Sequence, residues 1–298
     1  MRLHVLYRTH AGSNDKPRPP FYDRLTAWES LQASLAAVPD AAVTLVVDGD
    51  LPADLVAAIG SGHRQVTVSG GRASSSFRSA LAVAAGLVDE EPADTLFLLA
   101  EDDYLYRPEA ISDLLAAAVA VPEADYFALH TAIDEGWYAT HPSQPEREVP
   151  SLPGGPVTAG TSRWDRIPTT TSTFAVRSAA LAADRWLLDL ASRAGAPFDV
   201  SSWHALQGFR PFAWRHLLSD LHPEPSLRGA AKVVGKPVMR GLLDVAAAVA
   251  RPSRVLVAPA EDLAMHLEPG QVAASGWDWA GLAERVAAGR DAERPAAG

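Results

Sequence analysis

The sequence predicts an α/β protein with a mostly parallel sheet and helices on both faces. Short, fully apolar runs such as residues 43–47 (VTLVV) and 95–99 (TLFLL) alternate with longer segments whose apolar residues recur at helical spacing. Strands buried on both faces read as continuous apolar runs, and helical crossovers between them keep neighbouring strands parallel. With 298 residues, 48% of them apolar and 21% charged, the chain can bury the core that such a domain needs.

The predicted elements follow in regular order through the first 130 residues. Each strand is a short apolar run, and each helix has apolar residues three or four positions apart. The strands are residues 3–7, 43–47, 66–68, 95–99 and 126–130, and the helices are residues 21–37, 51–59, 76–87 and 108–119. Pro108 favours a helix start, because the N–H that proline lacks would be unpaired in a first turn anyway.

The pattern changes after residue 131. Residues 131–168 are rich in Pro, Gly, Thr and Ser, which predicts a long lid or binding loop. A strand at 169–177, a helix at 179–193, a helix start at 202–207 and a strand at 254–257 follow. We predict one domain over residues 1–288, with halves 1–130 and 131–288, and a disordered tail at 289–298.

Composition excludes several classes of protein. The chain has no cysteine, so disulfides, thiolate metal sites and a cysteine nucleophile are excluded. With 26 Lys and Arg against 36 Asp and Glu, the net charge is −10, which argues against nucleic acid as a partner. The first residues lack the apolar run of a signal peptide, and no stretch is apolar enough to span a membrane. We therefore expect a cytoplasmic protein.

Three adjacent acids, Glu101, Asp102 and Asp103, follow the apolar run 95–99 almost directly. Carboxylates this close repel one another unless a cation lies between them. Mg²⁺ and Mn²⁺ bind one or two carboxylates together with substrate phosphate oxygens, so the acids predict a metal site. On this view, Asp103→Asn relieves repulsion and leaves folding intact. The alternative is a solvated acidic turn at a strand end.

An acidic triplet of this kind, about a hundred residues into an α/β chain, resembles the DxD site of GT-A-fold glycosyltransferases, particularly the family-2 type. Four further segments occur in the order of that family: VTLVVDGD with Asp48, GGRASSSFRSALAVAAG with Arg78, PFDVSSWHAL with Asp199, and LAMHLEPG with His266, followed by GWDW. The resemblance covers about residues 1–280. The triplet reads EDD-Tyr, without the usual spacing, and Phe198 precedes Asp199 where the family commonly has Glu.

The resemblance implies a role for each matching residue. Residues 1–130 would form a Rossmann-like half that binds a nucleotide sugar, and residues 131–288 a half that binds the acceptor. The implied roles are metal ligation by Asp103 and His266, donor contacts by Asp48, Arg78, Glu101 and Asp102, and general base catalysis by Asp199. Arg8 and Thr9 join the donor residues because they end the first strand, at the edge where ligands of parallel sheets bind.

Each of these residues also has an ordinary structural interpretation. Asp199 suits a helix N-cap, and Asp48 before Gly49 suits a turn. His266 could be a buried structural histidine, Arg78 could pair with a surface acid, and Arg8 could be an exposed loop residue. Aromatic residues near the long loop either form an acceptor-binding wall or attach the loop to the core. These residues are Trp137, Tyr138 and Trp164, with the threonine-rich segment 169–173.

The implied activity is metal-dependent transfer of a hexose from a nucleotide diphosphate sugar to a hydroxyl acceptor, with inversion through Asp199. One alternative is a sugar-phosphate nucleotidyltransferase, a class with a Gly-rich loop bearing Arg and Lys after its first strand. Here residues 8–20 read RTHAGSNDKPRPP, with a single glycine. A second alternative is a non-catalytic relic that binds a nucleotide sugar or a partner protein.

A basic stripe recurs every four residues at Arg228, Lys232, Lys236 and Arg240. On a helix these cations would share one face, next to several apolar residues. Such a segment predicts peripheral contact with an anionic membrane, at its inner face for a cytoplasmic protein. Gly235 and Pro237 favour a basic surface loop instead.

Overall fold

The structure is a computed structural model of the 298-residue chain. It describes residues 1–11, 16–59, 62–71, 73–131, 149–194, 198–212, 227–250 and 253–293. Trp137 and Tyr138 lie outside the described residues, as do the side chains of Arg228, Lys232 and Lys236.

One large sheet organises the described chain. Its strands are Leu3–His10 (β1), Ala42–Asp48 (β2), Arg64–Val68 (β3), Leu96–Glu101 (β4), Tyr126–Phe127 (β6), Val157–Ala159 (β7), Ser162–Arg166 (β8), Phe174–Arg177 (β9) and Leu256–Pro259 (β10). Tyr104–Tyr106 (β5) and Ala264–His266 (β11) form a separate antiparallel ribbon. The order in the sheet is β3-β2-β1-β4-β9-β6-β10-β8-β7. Seven of these nine strands run in the same direction, and only β8 and β9 oppose them. The predicted mostly parallel sheet is confirmed.

Helices cover both faces of this sheet, as predicted. They are Arg24–Leu35 (α1), Ala53–Ile59 (α2), Ala73–Leu87 (α3), Ala110–Ala120 (α4), Ser178–Arg193 (α5), Phe198–Leu206 (α6), Leu227–Ala250 (α7), Pro269–Ser275 (α8) and Trp279–Glu293 (α9). Val5 and Tyr7 of β1 join the core beneath α1, α2 and α4, whereas Leu6 joins the core beneath α3, α5, α6 and α7. This alternation explains the continuous apolar runs, because each strand supplies both cores.

The predicted long loop at 131–168 contains two short strands, β7 and β8. They pair with each other, and β8 also pairs with β10. Their sequences are short and β8 (SRWDR) is largely polar, so no apolar run marks them. Trp164 of β8 is fully buried, and its indole N–H donates to the carbonyl of Ala159 at 3.3 Å. Trp164 therefore attaches this segment to the core and is unavailable as an acceptor-binding surface.

The basic stripe lies on α7, which continues through Gly235 and Pro237, so the loop alternative is wrong. This helix packs against α5 and α6 through buried residues such as Leu243. Arg240 is only 4% exposed and lies over the ring of Phe212 at 5.1 Å, so it does not belong to a surface stripe.

The described part of the last helix, α9, extends to Glu293 and thus into the predicted disordered tail. Among the described residues, no helix combines the length and apolar character needed to cross a membrane.

Candidate active site

The candidate site lies at the carboxyl ends of β1 and β4, which are adjacent and parallel. Their register places Arg8 directly beside Glu101. In open α/β sheets this edge is where ligands bind, because the strand ends and following loops leave a crevice there. We use "candidate site" for residues 8–10, 16–18, 101–104, 172–173, 199 and 266–268.

Glu101 is held by three side chains. The guanidinium of Arg8 forms an ion pair with it, and the hydroxyls of Ser172 and Thr173 donate to Oε2 at 2.6 and 3.1 Å. Part of the threonine-rich segment therefore serves to position this acid. Arg8 and Glu101 neutralise each other, so the predicted donor contacts would require this pair to rearrange.

Asp102 has a separate set of partners. The hydroxyl of Thr9 donates to its Oδ2 at 2.7 Å, while His10 Nδ1 and Arg24 Nε lie 3.5 and 3.6 Å from the same oxygen. Asp102 and Thr9 are both buried. The structure thus brings Thr9 to the acidic triplet, but as a partner of Asp102 facing into the protein.

Asp103 lies between Arg18 and His266. Arg18 donates to its Oδ2 at 2.7 Å, and His266 Nε2 lies 3.2 Å from that oxygen. Burial alone would raise the pKa of Asp103, but the charges and hydrogen bonds of His266 and Arg18 hold it well below the ordinary value. Burial lowers and Asp103 raises the pKa of His266, and the net shift is upward. Asp103 and His266, the two predicted metal ligands, therefore form an ion pair with each other in this structure.

The β5–β11 ribbon explains why His266 reaches the triplet across 163 positions of sequence. His266 pairs in register with Tyr104, and the amide of Leu267 donates to the carbonyl of Asp103 at 2.9 Å. The imidazole also stacks on the Tyr104 ring, with centroids 4.9 Å apart and planes 6° apart. The backbone and the stacking together fix the ring beside Asp103.

Asp103 and His266 fit a Mg²⁺ or Mn²⁺ ion that completes its shell with phosphate oxygens. Asp103 Oδ1 is buried and accepts no hydrogen bond within the described residues, and Nε2 is the ring nitrogen of His266 that faces this carboxylate. A carboxylate oxygen and an imidazole nitrogen both suit Mn²⁺. In the described part of the chain no group of three or more acidic or histidine side chains is placed to hold a metal ion. The pair can therefore serve only as an open site.

Asp199 occupies the first turn of α6 and is half-buried. It is the second residue of the helix, not the preceding cap, and its Oδ1 accepts the amide of Val200 at 2.9 Å. Burial raises its pKa to about 6, the Val200 amide opposes that shift, the charge of Glu101 adds to it, and Lys16 opposes it. A carboxyl group with this pKa can accept a proton near neutral pH.

Asp48 ends β2 opposite His10 of the candidate site, and Arg78 lies on α3. No hydrogen bond or ion pair between described residues joins either side chain to the three acids. The carboxylate of Asp48 accepts the amides of Gly70 and Gly71 at 3.0 and 2.8 Å, so it fixes the loop between β3 and α3. A Cβ on Gly70 would lie 2.7 Å from Asp48 Oδ2 and 2.9 Å from the backbone of Ser76, which explains glycine at this position. Arg78 is half-buried on α3 and makes no ion pair with another described residue. The predicted contacts of Asp48 and Arg78 with a nucleotide-sugar donor remain predictions.

Two cations were missed in the sequence. Lys16 donates to Glu268 Oε1 at 2.6 Å, and Arg18 contacts Asp103. The signal in the sequence is the charged, proline-rich run KPRPP shortly after the first strand. With Arg18, and with Arg8 and Arg24 beside the other two, each acid of the triplet has a basic partner from the protein.

No protein-family model and no curated protein sequence matches this chain. Among solved structures, CMP:2-keto-3-deoxy-manno-octonic acid synthetase complexed with CTP is 17% identical over 63% of this chain and 78% of that chain, with a TM-score of 0.39. Glucosyl-3-phosphoglycerate synthase from Mycobacterium tuberculosis, in complex with Mn²⁺, UDP and phosphoglyceric acid, is 14% identical over 42% of this chain and 41% of that chain, with a TM-score of 0.30. The glycosyltransferase GlyE in Streptococcus pneumoniae TIGR4 is 11% identical over 99% of this chain and 65% of that chain, with a TM-score of 0.36. Because these scores are below 0.5, we base the function on the geometry of the candidate site.

Proposed function

We propose that this protein is a transferase of the GT-A type that moves a hexose from a nucleotide diphosphate sugar to a hydroxyl acceptor. The observation that carries the proposal is the position of Asp199. It is a half-buried carboxyl group with a pKa of about 6, close enough to Glu101 and Lys16 for their charges to act on it. One acid suited to general base catalysis thus lies within electrostatic reach of Glu101. A separate acid two residues further on, Asp103, is held ionised beside His266.

The proposed step is a single displacement at the anomeric carbon. The acceptor oxygen forms a bond to this carbon while the bond to the diphosphate oxygen breaks, and the nucleoside diphosphate leaves with the electron pair. The acceptor proton passes to the carboxylate of Asp199. Attack on the face opposite the leaving group inverts the configuration at that carbon.

Asp103 and His266 would hold Mg²⁺ or Mn²⁺ together with donor phosphate oxygens. When bound, the ion would act as a Lewis acid that stabilises charge on the leaving diphosphate. The residues of this chain contribute the orientation of the ligands: Tyr104 stacks on His266, and the Leu267 amide binds the Asp103 carbonyl. Such fixed partners keep a ligand pair oriented before the ion arrives.

Nucleotidyl transfer is the second candidate, and the position of Lys16 and Arg18 favours it. Both cations follow β1 and reach the acids of the candidate site, where a triphosphate would require positive charge. The two reactions differ in their products, because nucleotidyl transfer releases pyrophosphate from a nucleoside triphosphate. A binding preference for nucleoside triphosphates and sugar phosphates over nucleotide sugars would replace our proposal with this one.

A thermal-shift screen of nucleotides with Mn²⁺ tests the proposed donor class. A nucleoside diphosphate at about a hundred times its dissociation constant adds roughly 2.7 kcal/mol to the free energy of unfolding. For a chain of this size we expect Tm to rise by roughly 5 °C. Excess chelator should remove the shift, and nucleoside monophosphates serve as the control. Absence of a shift with every nucleoside diphosphate and triphosphate at millimolar concentration would contradict both candidate activities.

We propose that α7 contacts an anionic membrane surface and that Arg240 takes no part in this contact. The only acid of this helix, Asp244, is buried and accepts Arg210 Nε at 2.8 Å. Four apolar residues between positions 238 and 249 of this helix are more than half exposed and recur at helical spacing. They are Val238 (54%), Leu242 (51%), Val245 (61%) and Val249 (78%). An apolar stripe that follows Lys232 and Lys236 suits an anionic lipid surface.

We expect the double variant Lys232→Glu and Lys236→Glu to bind anionic vesicles at least about 25-fold more weakly, because each cation near such a surface contributes about 1 kcal/mol. Co-sedimentation with vesicles of phosphatidylglycerol and phosphatidylethanolamine measures the change. The double variant Arg64→Glu and Arg193→Glu is the matched control, since it reverses the same charge at two exposed ion pairs. Equal loss in both variants, or no binding by the parent protein, would contradict membrane contact through α7.

A further inference from the structure

Arg18 contacts the carboxylate of Asp103, one of the two residues that would hold a metal ion. Its NH2 donates to Asp103 Oδ2 at 2.7 Å, and its NH1 donates to the carbonyl of Leu267 at 2.9 Å. The guanidinium also lies over the ring of Tyr22 at 4.8 Å. A carboxylate that already pairs with a guanidinium binds a metal ion less readily, because the two positive charges repel each other and the guanidinium must move away first.

The backbone around Arg18 is restricted, so the side chain is the part that can move. Pro17 and Pro19 flank it, and proline fixes its own φ angle and limits the residue before it. Pro19 is buried, and its carbonyl accepts the amide of Tyr22 at 2.9 Å. Arg18 Nε makes no hydrogen bond within the described residues, although it is buried. The guanidinium therefore retains donors that its contacts in this structure do not use.

Lys16, two residues before Arg18, also forms an ion pair with an acid of the candidate site. Its Nζ donates to Glu268 Oε1 at 2.6 Å, and its side chain is 54% exposed. Glu268 Oε1 also lies 3.6 Å from His266 Nε2. The segment 16–18 thus places one cation on Asp103 and another on Glu268, on either side of the histidine. A guanidinium and an ammonium in these positions match the charge of a diphosphate, which binds both groups strongly.

We propose that Arg18 is a resident counter-ion of the metal site, displaced from Asp103 when the metal and the donor diphosphate bind together. This inference rests on the proposed function for the identity of the diphosphate, but the competition between Arg18 and the metal does not depend on it. After displacement, the guanidinium binds the diphosphate. Arg18 therefore suppresses metal binding in the absence of donor and strengthens donor binding once the metal is present.

The first experiment measures binding of Mn²⁺ alone to the full chain, without nucleotide, by the loss of the free Mn²⁺ signal in electron paramagnetic resonance. We expect Arg18→Gln to bind Mn²⁺ at least tenfold more tightly than the parent protein. Arg64→Gln is the matched control, because it removes the same charge from an exposed ion pair with Glu90. If Arg18→Gln does not fold, Arg18→Met also removes the charge while it keeps an apolar stem to pack on Tyr22, and it should likewise bind Mn²⁺ more tightly than the parent. A folded variant with unchanged or weaker Mn²⁺ affinity overturns the proposal.

The second experiment measures nucleoside diphosphate binding by calorimetry at saturating Mn²⁺. Here the expected change has the opposite sign: Arg18→Gln should bind at least tenfold more weakly, whereas Arg64→Gln should match the parent. Equal affinity in Arg18→Gln would overturn the diphosphate contact. If the parent binds no nucleoside diphosphate, the proposed function fails, and the Mn²⁺ measurement still decides whether Arg18 competes with the metal.

Discussion

Replacing Asp199 by Asn should lower the turnover of sugar transfer by about 10²–10⁴-fold, the usual contribution of a positioned general base. The amide can still accept the Val200 N–H and retains the shape of the carboxyl group, but it does not accept a proton from the acceptor. Donor affinity should stay within a fewfold of the parent, because the diphosphate contacts involve Asp103 and His266. Steady-state rates and calorimetry on the same preparation measure the two quantities.

The dependence on pH separates this role from a structural one. A general base must be ionised, so we expect the rate of the parent protein to fall as the pH drops below about 6. The raised pKa also means that folding favours the protonated form, so the ionised carboxylate destabilises the native state once the pH rises above the ordinary Asp value of about 3.9. Asp199→Asn should therefore raise Tm at pH 8 more than at pH 4.

Asp113→Asn is the matched control for this prediction. Asp113 also lies in the first turn of a helix and accepts a backbone amide, that of Thr161 at 3.0 Å, but it belongs to α4, outside the candidate site. We expect it to lose stability and to keep its rate. Turnover of Asp199→Asn within a fewfold of the parent would assign Asp199 to the structure of α6 and contradict inversion with Asp199 as the base.

The sequence predicted those parts of the fold that depend on burial. Strands such as β1 and β4 supply side chains to two cores, so their continuous apolar runs can be recognised in the sequence without knowing which strands pair with them. Strands β7 and β8 are short, and their pairing with each other and with β10 depends on neighbours distant in sequence. The β5–β11 ribbon joins residues about 160 positions apart, and no local pattern announces it.

The adjacent carboxylates of residues 101–103 predicted a charged site at the end of β4, but the sequence did not predict the arginines that neutralise them. Repulsion between adjacent carboxylates predicted a bound cation, whereas Arg8, Arg24 and Arg18 each lie beside one of the three acids. The pairing of Arg8 with Glu101 follows from the register of two parallel strands, and the contact of Arg18 with Asp103 joins residues 85 positions apart in the sequence. Register and loop path are tertiary properties that charge patterns in one sequence do not reveal.

This correction changes the expected behaviour of Asp103→Asn, the second variant with a large effect. With Arg18 and His266 on the carboxylate, the substitution removes a buried ion pair instead of relieving repulsion. We expect a loss of about 1–3 kcal/mol in the free energy of unfolding at pH 7, because Asn still accepts a hydrogen bond but carries no charge. The depressed pKa of Asp103 contributes stability only while the group is ionised, so this loss should shrink as the pH falls below about 4.

The same variant should weaken metal-dependent binding of nucleoside diphosphate by about 100-fold or more, since even residues that only support a metal ligand contribute 10- to 100-fold. Asp184→Asn separates this effect from instability. Asp184 is equally buried and pairs with Arg254 at 2.7 Å and with the Tyr126 hydroxyl at 2.8 Å, outside the candidate site. It should lose similar stability and bind the nucleotide like the parent. The contrary result is that Asp103→Asn binds nucleoside diphosphate with the affinity of the parent, both with Mn²⁺ and with excess chelator. That result would show that Asp103 is not a metal ligand and that its role is limited to the ion pair with Arg18 and His266.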